Sequence, residues 1–279
     1  MSSDDKPVGP GTRLPRAGRR REWTHLYESE AQRKAATGSD RDGDFFYGRR
    51  GAPTQWSLAQ ALTDMEPGAA GTVLYPSGAA AIAGAFLAVM KPGDTVLMTD
   101  NAYDPTRSMA TGLLKRLGMK HAFFDPLDSA LFEALVANHA PRAVWFESPG
   151  SLTMEVSDVP ALAAIAKEAG AVCLIDNTWA SPLGFQALEH GCDIAMMSLS
   201  KHVGGHSDLM MGSCSAGERW YKALRRTAQQ LGQVVSPDYA ALASRGLRTM
   251  GVRLERSTAS AIEIANWLAK QPQVAQVMC

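Results

Sequence analysis

From about Trp56 onward, short apolar runs alternate with stretches of helical period. The runs Thr95–Thr99, His121–Phe124, Ala143–Glu147, Val172–Asp176, Ile194–Ser198 and Leu209–Ser213 read as strands. Between and around them, Trp56–Met65, Ala79–Met90, Tyr103–Leu117, Ala130–Ala137, Val159–Ala169 and Glu218–Leu231 read as helices. Strands that are apolar throughout and separated by helices predict a mostly parallel sheet covered by helices on both faces, an α/β domain. Residues 1–50 show no sustained apolar period and contain Gly9-Pro10-Gly11, Thr37-Gly38-Ser39 and Arg41-Asp42-Gly43, the pattern of an extended arm ordered by docking elsewhere. Between Ser236 and Leu268, apolar residues recur at helical spacing in one or two long helices. Gln271-Pro272 then breaks the period, and a strand is expected over Gln273–Met278.

Composition narrows the function. Of 279 residues 46% are hydrophobic and 20% charged, which excludes disorder. The 28 Lys and Arg exactly balance 28 Asp and Glu, so the basic excess that a phosphate backbone demands is missing and no nucleic-acid partner is expected. The most apolar stretch, Gly78–Met90, falls short of the ~20 residues that span a bilayer, so no membrane partner is expected either. Cys173, Cys192, Cys214 and Cys279 are far apart, without a CxxC, and read as a reduced intracellular set. Arg19-Arg20-Arg21 resembles a transit peptide in charge, but Asp4, Asp5 and Glu22 do not suit one; a polar arm on a cytoplasmic protein is expected. His202 and His206 lie four apart, but Val203-Gly204-Gly205 is poor helix and no HExxH acid is present, so no metal is expected. Small-molecule chemistry is left as the expectation.

Several residues carry the means for it. Asp176 ends an apolar strand, where ligands of open α/β sheets bind, although an Asp there equally caps the next segment. Lys201 follows the run ending at Ser198, between Ser200 and the glycine-rich Val203-Gly204-Gly205-His206. Partly desolvated there, its amine would serve as a Schiff-base nucleophile; the alternative is a solvated loop lysine. Ser198 and Ser200 offer hydroxyls to a phosphate. Ser77-Gly78-Ala79 opens an Ala-rich helix whose N–H groups at Gly78 and Ala79 suit an anion, or simply form an N-cap. Tyr103 follows the strand ending near Thr99, where its ring would lie over a flat ligand or remain on the surface. Tyr47 and Arg49 pair a phenol with a guanidinium in the arm; the pair suits a phosphate or a solvated arm alike.

A Schiff-base lysine, a strand-tip acid, a phosphate cup and a stacking ring are together what pyridoxal 5′-phosphate requires. The sequence resembles the Cys/Met-metabolism family of pyridoxal-phosphate enzymes. The resemblance runs from about Phe45 to the end, through Phe46-Tyr47-Gly48-Arg49-Arg50-Gly51, Tyr75-Pro76-Ser77-Gly78-Ala79-Ala80-Ala81, Asn101-Ala102-Tyr103-Asp104-Pro105, Glu147-Ser148-Pro149-Gly150-Ser151, Asp176-Asn177-Thr178-Trp179 and Ser200-Lys201.

That resemblance implies a transferase-like fold of type I and a set of roles. Lys201 would hold the cofactor and then move protons, Asp176 would pair with the pyridine nitrogen, and Tyr103 would stack on the ring and serve catalysis with Lys201. Gly78, Ala79, Ser198 and Ser200 would bind the phosphate, and Tyr47 and Arg49 would complete that site in a neighbouring subunit, within a homotetramer built from dimers that share active sites. Tyr103-Asp104-Pro105 and the stretch from Glu147 to Glu155 resemble the carbon–sulfur β-lyases of the family more than its γ-synthases and γ-lyases. The implied activity is cleavage of the thioether cystathionine to homocysteine, pyruvate and ammonia, in methionine biosynthesis. The alternatives are another enzyme of the family, of the γ-lyase, γ-synthase or cysteine-S-conjugate β-lyase type, or a chain that binds the cofactor without turnover. The expected divisions are the arm 1–51, the cofactor-binding α/β domain 52–247 and a truncated start of a C-terminal domain, 248–279. Nothing in 248–279 matches the arginine that the family uses for the substrate carboxylate.

Overall fold

The computed structural model describes residues 27–37 and 47–278. Phe45, Phe46, Cys279 and most of the arm lie outside them. One seven-stranded sheet organises the chain: β1 Gly71–Tyr75, β2 Thr95–Thr99, β3 Lys120–Phe124, β4 Ala143–Glu147, β5 Val172–Asp176, β6 Ile194–Ser198 and β7 Gly212–Ala216, in the order β1-β7-β6-β5-β4-β2-β3. β7 runs antiparallel to both neighbours and the other pairs are parallel. Ten helices accompany the sheet among the described residues: α1 Glu30–Thr37, α2 Pro53–Met65, α3 Gly78–Val89, α4 Asp104–Met109, α5 Ser129–His139, α6 Val159–Glu168, α7 Ser181–Gly184, α8 Glu218–Gln230, α9 Pro237–Leu247 and α10 Met250–Leu268. A π-helical turn, Ala110–Leu114, continues α4.

Every residue of β4 and β5 is buried, because both faces of those strands are covered. Alternate side chains go to opposite cores. Trp145, Leu174, Ile194, Met196 and Cys214 pack beneath α3 and α8, whereas Val144, Phe146, Cys173, Ile175 and Ala195 pack beneath α5 and α6. The Ala- and Gly-rich α3 allows close approach; a Cβ at Gly84 would stand 2.5 Å from the Tyr75 ring. A third cluster, with Leu58, Leu62, Met197, Leu199, Ala240 and Ala243, seats α2 and α9.

Four differences from the sequence expectation have local causes. β1 was not expected; its five residues bond antiparallel to β7, with the Thr72 and Ser215 hydroxyls 2.8 Å apart across the pair. β7 begins at Gly212 rather than Leu209, because the Met211 backbone is bonded to the Ser200 side chain and cannot join the ladder. The arm is not extended throughout: residues 30–37 form α1, whose Arg33 holds Glu30 at 2.6 Å one turn away. Gln273–Met278 is irregular rather than a strand, and among the described residues no strand pairs with it. α10 leaves the body, with Val252, Ile262, Ile264 and Trp267 exposed.

Glu66 caps α2 and is 1% exposed, its Oε1 accepting from the Leu188 N–H at 3.0 Å. Burial pushes its carboxyl up to about 7, the amides of Leu188 and Ala187 opposing the shift. In the unfolded chain the group ionises above about 4.3, so stability falls as pH rises from there to about 7, by a total on the order of 3 kcal/mol. Glu66→Gln keeps the acceptor and cannot ionise. Urea unfolding followed from about pH 5 to about pH 8 is expected to show a shallower loss of stability in the variant, and parallel profiles would refute this account of Glu66.

Candidate active site

The C-terminal ends of the parallel strands gather the candidates on one edge of the sheet. Asp176 ends β5, only 6% exposed. Its Oδ1 accepts from both the backbone N–H and the hydroxyl of Thr178, and the same Thr178 hydroxyl accepts from the Ser198 N–H at 2.8 Å. One threonine thus ties the tip of β5 to the tip of β6. Burial pushes the Asp176 carboxyl above its usual range, against the pull of the two Thr178 bonds. Among the described residues Asp176 has no ion-pair partner, so a buried acid faces the site with Oδ2 uncommitted.

β6 ends at Ser198, and a turn places Lys201 two residues beyond Leu199, with its N–H on the Ser198 carbonyl at 3.2 Å. Lys201 is exposed among the described residues, in place of the partial desolvation expected for it. The loop behind it is nonetheless fixed. Arg253, from α10, donates through Nη2 to the carbonyl of His202 at 2.7 Å and that of Gly246 at 2.9 Å. Gly205, with φ +72°, makes room for it, since a Cβ there would lie 2.1 Å from Arg253 Nη1. Trp179 packs edge-on against His202 at 5.4 Å.

Gly78 and Ala79 open α3, and the Ser77 hydroxyl accepts the Ala80 N–H at 3.1 Å, leaving the first N–H groups of the helix to an anion. A Cβ at Gly78 would stand 3.1 Å from both Cβ and Oγ of Ser198, so the first turn of α3 lies close against Ser198. Ser200 behaves differently. Its hydroxyl accepts from the Met211 N–H at 3.1 Å and faces the Met211 carbonyl at 3.3 Å, which makes it a pin for the loop. Tyr103 precedes α4, 45% exposed, with its backbone N–H on Glu147 Oε2 at 2.7 Å. Tyr47 and Arg49 are not brought to this group. Arg49 donates to the Gln229 carbonyl at 2.7 Å and lines a separate cleft with Gln55, Trp56 and Tyr221. The sequence reading missed Glu147, Thr178 and Arg253. Glu147 carries the same signal as Asp176, an acid at the end of an apolar strand.

A family model for Cys/Met metabolism PLP-dependent enzymes matches residues 23–279. The chain belongs to that family. It is 42% identical to cystathionine beta-lyase MetC of Escherichia coli K12 and 40% identical to cystathionine beta-lyase of Salmonella typhimurium, in each case over 95% of this chain and 71% of the relative. The structure is similar to that of cystathionine gamma synthase from Xanthomonas oryzae pv. oryzae in complex with cystathionine, with TM-score 0.84 and 30% identity over 94% of this chain and 65% of that one. Fold and cofactor class agree with the family expectation. The residues present also fit pyridoxal phosphate: an unpaired buried acid, an anion cup floored by a glycine and a lysine on the adjoining turn.

Removing the Arg253 guanidinium would free two loop carbonyls, those of His202 and Val203, and the Gly246 carbonyl of α9, all of which accept from Nη2. Arg253→Ala is expected to cost roughly 2 kcal/mol. Faster amide exchange confined to the loop around residues 202–205 would report the loosening, and unchanged exchange there would refute the clamp.

Proposed function

We propose that this chain is a pyridoxal-phosphate-dependent carbon–sulfur β-lyase that cleaves L-cystathionine to homocysteine, pyruvate and ammonia. The observation that carries the proposal is the meeting of a buried, unpaired Asp176, the Gly78–Ser198 cup and the Lys201 turn at one sheet edge. The identity to β-lyases over nearly the whole chain favours this reading within the family.

Lys201 is the residue that would attach the cofactor. Asp176 would hold the proton of its ring nitrogen, and Tyr103 would cover its ring. Gly78, Ala79 and Ser198 would receive the phosphate, with Ser200 stiffening the loop beside it. When bound, pyridoxal phosphate supplies an electron sink for negative charge at the substrate Cα. Lys201 Nζ would remove the Cα proton and, with the Tyr103 hydroxyl as the other candidate, return a proton to the departing sulfur as the Cβ–S bond breaks. The thiol leaves as homocysteine, and the remaining three-carbon enamine takes up water to give pyruvate and ammonia. Asp176, already buried among hydrogen-bond donors, would need no reorganisation to stabilise a cationic ring nitrogen.

Tyr47 and Arg49 stand apart from the other candidates in one chain, in keeping with their serving a neighbouring subunit's phosphate site. A cytoplasmic homotetramer of dimers that share active sites is the assembly we propose, and the exposed Lys201 is consistent with a site closed by a second chain. The reading divides the chain into an arm through Gly51, a cofactor-binding body from Ala52 to Leu247 and a departing segment from Arg248.

Two measurements test this. The purified chain with pyridoxal phosphate is expected to show a visible absorption band that Lys201→Ala abolishes; a parent without the band would sink the cofactor assignment. Pyruvate should form from cystathionine. Formation of 2-oxobutanoate instead would assign the chain to the γ-lyases, and a band without either keto acid would make it a binder without turnover. Asp176→Asn is expected to lower the rate of pyruvate formation by about a hundredfold or more while the band persists.

A further inference from the structure

β4 and β5 pair in parallel with Glu147 directly opposite Asp176. Side chains paired in this way stand on the same face of a sheet, so the two carboxyl groups lie side by side at the strand tips. Glu147 is 3% exposed and Asp176 6%. Two neighbouring buried carboxyls do not both ionise. Their surroundings decide which one does. Asp176 receives two hydrogen bonds from Thr178, whereas Glu147 receives one, from the Tyr103 backbone. The charge therefore belongs to Asp176 and the proton to Glu147.

We propose that Glu147 is a positioning residue of this site, one that fixes the Tyr103 backbone through its 2.7 Å hydrogen bond and stands beside Asp176 as its uncharged, proton-carrying neighbour. This rests on the pyridoxal-phosphate reading for its purpose, since a neutral Glu147 leaves Asp176 alone to answer a cationic ring nitrogen while Tyr103 is held over the ring. An ionised Glu147 would place a second negative charge at the strand tips and strain the pair in the empty site.

The groups around the pair are few. From β5 comes Asp176, from the segment before α4 comes Tyr103, and from β7 the Cys214 thiol senses the Asp176 charge. Burial first, and the Asp176 charge second, push the Glu147 carboxyl well above the usual range. The sign follows: Glu147 is neutral in the folded chain over an interval where the unfolded chain ionises it, so it contributes a loss of stability as pH rises across that interval.

Glu147→Gln reproduces the neutral acid in shape and keeps an acceptor for Tyr103, whereas Glu147→Ala removes both. In the cofactor-free chain, the Tyr103 amide is expected to exchange at least about tenfold faster in the Ala variant than in the parent, with Gln restoring the slow rate. The fall of the urea midpoint with rising pH should be shallower in Glu147→Gln than in the parent. Titration with pyridoxal phosphate should show affinity weakened about tenfold or more in the Ala variant and largely recovered in Gln. A Gln variant that binds as poorly as Ala, or whose pH profile parallels the parent's, would overturn the assignment. A parent without the visible band would sink the cofactor reading alone, because amide exchange and the pH profile need no cofactor and judge Glu147 by themselves.

Discussion

Two carboxyl groups end adjacent buried strands of this sheet, and a low-dielectric edge cannot hold both as anions. Much of the local structure resolves that conflict. Thr178 gives Asp176 two donors and, through the same hydroxyl, takes the Ser198 N–H, so the residue that settles the charge also sets the spacing between β5 and β6. Glu147 takes the Tyr103 N–H and so draws the segment before α4 against the tip of β4. The position of an exposed aromatic ring is in this way fixed by a buried acid on another strand.

The second requirement is a lysine loop that stays put without a core of its own. Three devices supply it, two within the loop and one on α10. Ser200 bonds the Met211 backbone and delays the start of β7. Arg253 reaches from α10 into the carbonyls of the loop, and Gly205 leaves the space for its guanidinium. α10 rests on the body through Met250 and the partly buried Leu254, and its link to the lysine loop is the Arg253 Nη2. A residue on the departing helix therefore bears on the geometry of a turn at the sheet edge.

Polar burial elsewhere follows the same economy of donors. Glu66 has one oxygen on the Leu188 N–H and the other without a hydrogen-bond partner, and burial pushes its carboxyl up to about 7, so that it is largely protonated in mildly acidic solution. The hydroxyls of Thr72 and Ser215 meet at 2.8 Å across β1 and β7, one of the two antiparallel pairings that β7 makes.

β2, β4, β5 and β6 were legible from the chain because burial on both faces demands unbroken apolar runs, and such runs show in one dimension. The same logic exposed Asp176, the one polar residue ending such a run whose neighbours were also suggestive. β1 and the true start of β7 were not legible: β1 is a five-residue run opening on Gly71-Thr72 that becomes a strand by pairing with β7, and β7 is made of small and hydroxylic residues between β1 and β6. Gly78 and Ser198 were each visible as candidates, yet their approach to within van der Waals contact depends on the crossover that lays α3 over β6. By itself the sequence determined the α/β class and the polar residues that end the apolar strands, because burial and turn chemistry are local demands. Tertiary structure alone decided that Glu147 stands beside Asp176, that Arg253 holds the lysine loop and that Arg49 lies elsewhere, because each depends on contacts between residues tens of positions apart.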